Sequence, residues 1–234
     1  MTQAPTPSQP AREPILRAPP IILVLLLVFV TIHVATQFLS DQAYDAMIET
    51  YALVPAHVQA AWHNLSFDSA TLWALVPFVT YAFLHGNFTH LAVNGFAFLI
   101  FATVVARRLG TLRFLAFGLV TSLAAAVAHL AVHWGDPVPV IGASGAIAGY
   151  MGAASRFMFY DPNNPPSGPN HRLPLLARPV VMFALVWTLI NIGVGVTGIS
   201  PDGTPGLTAW EAHIGGFFAG LLLLPLFDRR RDWL

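Results

Sequence analysis

The sequence predicts an all-α membrane protein, a bundle of six transmembrane helices with a long interfacial first loop, and three observations carry that expectation. Of its 234 residues, 56% are apolar and only 9% charged, and the mean hydropathy of +0.64 lies outside the range of soluble domains. Apolar runs long enough to span a bilayer recur along the chain. The eleven cationic residues are all arginine and gather on alternate connections between those runs. With no cysteine present, disulfides, thiolate metal sites and cysteine nucleophiles are excluded.

The first twenty residues hold six prolines and only Arg12, Glu13 and Arg17 as charges, too little apolar material to bury. Residues 1–19 are therefore expected to be a disordered cytoplasmic tail. The run 20–39 is too long for a cleavable signal and reads as the first span. Residues 41–80 mix Asp41, Asp45, Glu49 and Asp68 with short apolar pieces, as an interfacial loop does. Further apolar runs cover 88–106, 112–133, 144–159, 179–197 and 209–227. Arg107-Arg108, Gly135-Asp136-Pro137, a Pro/Asn-rich stretch at 161–174 and Pro201-Asp202-Gly203 separate them. The membrane domain is expected to occupy 20–228, with 229–234 a short basic tail.

Arginine sets the threading. Each Arg falls in the N-terminal tail, the second-to-third or fourth-to-fifth connection, or Arg229-Arg230-Arg231, whereas the other loops carry Asp41, Asp45, Glu49, Asp68, Asp136, Asp202 and Glu211. Both termini are then cytoplasmic. The location expected is a bacterial inner membrane, which the arginine pattern itself does not specify. The fourth span is abnormal. It follows Pro137-Val138-Pro139-Val140-Ile141-Gly142, which cannot be helical throughout, and from 144 to 159 it rises only about 24 Å. Its outer end must start below the surface, and irregular backbone at that depth is tolerated only where protein or a wet cavity surrounds it.

Gly142-Ala143-Ser144-Gly145 sets a serine at the start of that helix, where free N–H groups and the positive dipole end favour a developing oxyanion. Alone, the motif equally describes an N-cap in a small-residue packing motif. It is not the nucleophile elbow of soluble hydrolases, since Ala146 stands where the second glycine belongs. In the last span His213, Gly216 and Gly220 share one face, and the fourth span offers Gly145, Gly149 and Ala153 at spacing four. If these ridges meet, Ser144 and His213 lie at the outer ends of adjacent helices, as a serine–histidine dyad requires. The second span is expected to open at Thr80, with His90 and Asn94 one turn apart. Both are donors that could converge on an oxyanion or pair with a neighbouring helix.

These three segments, in this order on spans two, four and six, resemble the rhomboid intramembrane proteases over residues 75–227. The resemblance implies a serine endopeptidase that cleaves transmembrane segments of membrane proteins. Ser144 takes the place of the nucleophile and His213 that of the base. His90 and Asn94 match the pair supporting the oxyanion, His85 matches a structural loop histidine, and Gly142, Gly145, Gly216 and Gly220 stand near the site. The resemblance also implies that 41–80 lies partly submerged and that 198–208 caps the site. No cofactor is implied, and the partners are transmembrane substrates and the lipid bilayer, not nucleic acid. Three positions depart from the family: Ala148 stands where a tyrosine often packs on the histidine, no Trp-Arg pair precedes Thr80, and Ala106 stands where an acid often precedes Arg-x-Gly.

His129 and His133 have the i, i+4 spacing of metal ligands, but no histidine is followed by glutamate and no acidic residue falls near the middle of a span, so no catalytic metal is expected. An aspartyl protease fails because Asp161 has no in-span partner. A transporter would need a second broken helix. A catalytically inactive relative, binding transmembrane segments for quality control, is the alternative and should lack Ser144 or His213.

Overall fold

The computed structural model describes residues 18–63, 73–163, 171–198 and 208–228, and the regular elements among them are helical, with one isolated antiparallel bridge between Leu53 and Val140. The N-terminal tail up to residue 17, the basic residues 229–234 and most of the loop expected to cap the site fall outside the described residues. Helix α1 (Pro20–Thr36) begins on a proline, where no intrahelical bond is lost, and stops at Thr36 rather than at residue 39. The segment expected to be loop is substantially helical. Helices α2 (Asp41–Tyr51) and α3 (Pro55–His63) lie in it, α2 capped by Ser40 Oγ, which accepts from the Ala43 N–H at 3.3 Å.

Helix α4 (Phe88–Leu109) starts later than its sequence suggested, because Asn87 Oδ1 accepts from the His90 N–H at 2.7 Å and fixes the N-terminus there. Residues 80–87 form instead a short turn, Pro77–Thr80 running into the 3-10 turn Tyr81–Phe83, and then a loop carrying His85. Helices α5 (Thr111–Val132), α6 (Ser144–Ser155), α7 (Arg178–Thr197) and α8 (Trp210–Phe227) complete the bundle. Four of these, α4, α5, α7 and α8, are long and apolar enough to cross a membrane. The protein is an integral membrane protein.

Helix α6 is shorter than its apolar run. It ends at Ser155 because the next residue, Arg156, turns inward: its Nε donates to the Leu173 carbonyl at 2.6 Å, and Leu173 N–H donates back to the Arg156 carbonyl at 2.6 Å. Twelve residues rise only about 18 Å, against a hydrocarbon layer of about 30 Å. Around this short helix α5 and α8 pack most closely, and glycine makes that possible. A Cβ on Gly216 would strike the Gly145 carbonyl, and one on Gly220 the Gly149 carbonyl, so the two small ridges meet with backbone against backbone.

The irregular stretch before α6 is held by residues of the described segments 41–63 and 73–83. Leu53 and Val140 exchange both backbone hydrogen bonds, at 3.0 and 2.8 Å, Ala56 N–H donates to the Asp136 carbonyl at 3.0 Å, and Gly142 N–H donates to the Tyr81 carbonyl at 2.9 Å. Tyr81 is buried, and its hydroxyl donates to the Ser122 carbonyl of α5 at 2.9 Å. The non-helical backbone therefore has protein partners. At the opposite end of the bundle, Arg108 finds its acid far along the chain: its Nη2 donates to Asp228 Oδ2 at 2.8 Å, and Arg172 joins the same oxygen at 3.2 Å.

Candidate active site

Ser144 is the first residue of α6, preceded by Ala143 at the N-cap, and no side chain caps the helix. Its hydroxyl is therefore not used as a cap. It lies 2.8 Å from His213 Nε2, in the first turn of α8. On the far side of the ring, His213 Nδ1 is 2.8 Å from Asn191 Oδ1 of α7. Asn191 Nδ2 donates to the Trp187 carbonyl at 2.9 Å, which turns the amide oxygen toward the histidine. That contact calls for a proton on Nδ1, leaving Nε2 as an acceptor facing the serine hydroxyl. The indole of Trp187 flanks the imidazole, with ring centroids 6.5 Å apart. His213 is thus oriented from α7, by Asn191 and Trp187.

Gly142 adopts φ +121°, and a Cβ there would come within 2.8 Å of His90 Nε2 and 3.5 Å of Asn94 Nδ2. Only glycine suits both the backbone and the two side chains. Gly86 N–H faces His90 Nδ1 at 3.4 Å as donor, so the proton of a neutral ring sits on Nε2, toward Gly142. Asn94 is buried, and its Nδ2 makes no hydrogen bond among the described residues. A buried amide donor left unsatisfied costs roughly 1–3 kcal/mol, so its place beside Gly142 needs a reason. His85 is buried with its ring between Phe29 and His90, centroids 5.6 and 5.2 Å away, and its carbonyl meets His33 Nδ1 of α1 at 3.0 Å. It supports His90 from behind. Gly145 lies where Ala125 and Tyr81 leave no room for a side chain.

Ser144, His213, His90, Asn94, Gly142 and Asn191 line one cavity of about 590 Å³. A hydroxyl facing a neutral imidazole at the N-terminus of a helix can be deprotonated and act as a nucleophile. A family model described as Rhomboid domain matches residues 71–230. The chain belongs to the rhomboid family. Its rhomboid match spans the segments that hold every one of these residues. A Bacillus subtilis (strain 168) protein named "Putative rhomboid protease YdcA" is 26% identical over 198 residues, covering 81% of this chain and 87% of that protein.

Two residues lining this cavity escaped sequence reasoning. Asn191 stands alone and polar in the apolar run of α7, a signal that was available. Glu211, read as loop charge, sits buried in the first turn of α8, where its Oε1 is 2.9 Å from His133 Nε2. This hydrogen bond holds His133, beyond the end of α5, above the usual histidine range, against a smaller opposing effect of burial. The fold thereby brings a third potential ligand to the His129 and His133 pair.

Proposed function

We propose that the chain is an intramembrane serine endopeptidase that cleaves transmembrane segments of membrane proteins, with Ser144 as nucleophile and His213 as general base. The observation that carries this reading is the 2.8 Å approach of Ser144 Oγ to His213 Nε2 with Asn191 on the other ring nitrogen. Rhomboid membership and the name of the Bacillus relative point the same way.

A substrate span unwinds at the cavity beside α6 and presents its scissile carbonyl to Ser144. His213 Nε2 takes the hydroxyl proton and later gives it to the leaving amine. The oxyanion is held by the Ser144 backbone N–H, His90 Nε2–H and Asn94 Nδ2–H, which explains the unsatisfied amide. Asn191 stabilises the imidazolium through a dipole rather than a charge, so turnover is slow. Asn191→Ala is expected to lower turnover about tenfold to a hundredfold, with KM changed much less. Unchanged turnover would remove Asn191 from the reaction.

The chain crosses the membrane six times, α1 and the short α6 joining the four longer helices, with 41–80 at the interface and 20–228 as the membrane domain. Both termini face the cytoplasm of a bacterial inner membrane, so the cavity opens outward. A reporter fused after Leu234 should read as cytoplasmic and one inserted at Gly203 as external. The reverse pattern would refute the threading. The test of the substrate class is reconstitution in liposomes with a model membrane protein and with an unfolded soluble protein. Cleavage of the first within or beside its span is expected, and cleavage of the soluble chain alone would refute the reading.

A further inference from the structure

His129 and His133 lie one turn apart at the C-terminal end of α5, their rings stacked with centroids 4.5 Å apart and planes 18° from parallel. Glu211 reaches across from α8 to both: Oε1 is 2.9 Å from His133 Nε2 and Oε2 is 3.5 Å from His129 Nδ1. One ligand atom from each residue can be chosen so that all lie within 4.8 Å of one another. A tetrahedral zinc ion with bonds of 2.0–2.1 Å holds its ligands roughly 3.4 Å apart, so small side-chain rotations close the set.

Two features set this cluster apart from an ordinary hydrogen-bonded trio. His129 and Glu211 are each only 7% exposed, yet His129 Nδ1 and Glu211 Oε2 make no hydrogen bond among the described residues. The buried ring nitrogen and carboxylate oxygen face one another at 3.5 Å, within ion-pair reach but short of a hydrogen bond, an arrangement a cation between them would tighten. Asp136 Oδ2 stands 3.4 Å from His133 Nδ1, leaving Nε2 toward Glu211. This is the placing of an outer carboxylate that fixes the orientation of a metal-binding imidazole.

We propose that His129, His133 and Glu211 form a binding site for a divalent transition-metal ion of the zinc type, with Asp136 orienting His133. Two imidazoles and one carboxylate favour zinc over magnesium or calcium, which take oxygen ligands. Because these residues also line the cavity that holds Ser144, a fourth coordination position is open to water. The ion takes no part in peptide hydrolysis. It ties the end of α5 to the first turn of α8, two residues ahead of His213.

The test uses the full chain, free of any affinity tag, stripped with a chelator and titrated with Co²⁺ as a zinc surrogate. One Co²⁺ per chain is expected, with the intense visible absorption of a four-coordinate site, displaced by Zn²⁺ but not by Mg²⁺. Glu211→Gln and His133→Ala should weaken binding at least a hundredfold. Asp136→Asn should keep the stoichiometry and lose about 10–100-fold in affinity. His57→Ala, whose ring pairs with Glu49 at the exposed surface, should change nothing. Far-UV circular dichroism shows that each variant is folded, and Glu211→Gln preserves the side-chain shape. No saturable Co²⁺ uptake by the folded wild type, or equal uptake by folded Glu211→Gln, would overturn the proposal.

Discussion

Ser144→Ala and His213→Ala are each expected to reduce cleavage of a transmembrane substrate by about 10⁴-fold or more, below detection for a slow enzyme. The double variant should be no worse than either single one, because a hydroxyl without its base and a base without its hydroxyl are equally unproductive. Thermal unfolding should stay close to wild type. Ser144→Ala removes one hydrogen bond and His213→Ala two, each worth about 1 kcal/mol, while the contacts joining α6 to α8 are backbone against glycine and remain. Multiplicative loss in the double variant would mean that the two residues act independently, and the dyad would have to be abandoned.

The second large effect concerns Asn94. Removing one oxyanion donor from a site that keeps its backbone N–H costs about 10²–10³ in turnover. The loss should appear in kcat, with KM little changed, because the donor acts on the transition state. Stability should move the other way. Asn94 Nδ2 is buried without a partner among the described residues, so Asn94→Leu, similar in size, is expected to unfold at the same temperature as wild type or higher. A residue whose purpose was to join two helices would instead lose stability and leave kcat intact. His90→Ala should match Asn94→Ala in rate or exceed it, since losing the ring also opens a cavity against Gly142 and His85.

What could be read from sequence follows from how local each signal is. The start of α6 at Ser144 was legible because Pro137, Pro139 and Gly142 forbid a helix before it, and the meeting of α6 with α8 because glycines at spacing four advertise close approach. The end of α6 was not, because apolar residues continue past it and only the turn of Arg156 onto the Leu173 backbone stops the helix. The helix α2 was hidden by its charges, Asp41, Asp45 and Glu49, which lie on exposed helical surface rather than in loop, and the nine-residue α3 by its shortness. The pairing of Arg108 with Asp228 spans most of the membrane domain and leaves no trace in local pattern. Asn191 is the informative miss. Its residue type was visible, but that its amide reaches His213 depends on the rotation of α7 against α8.

The central claim, that Ser144 is a nucleophile activated by His213, is tested most directly by treating the purified protein with a fluorophosphonate probe and locating the adduct by mass spectrometry. The expected result is a single adduct on Ser144, absent in Ser144→Ala, strongly reduced in His213→Ala and retained in Asn94→Ala. A folded wild-type protein that takes no probe, as an inactive relative would behave, or an adduct on any other serine, would contradict it.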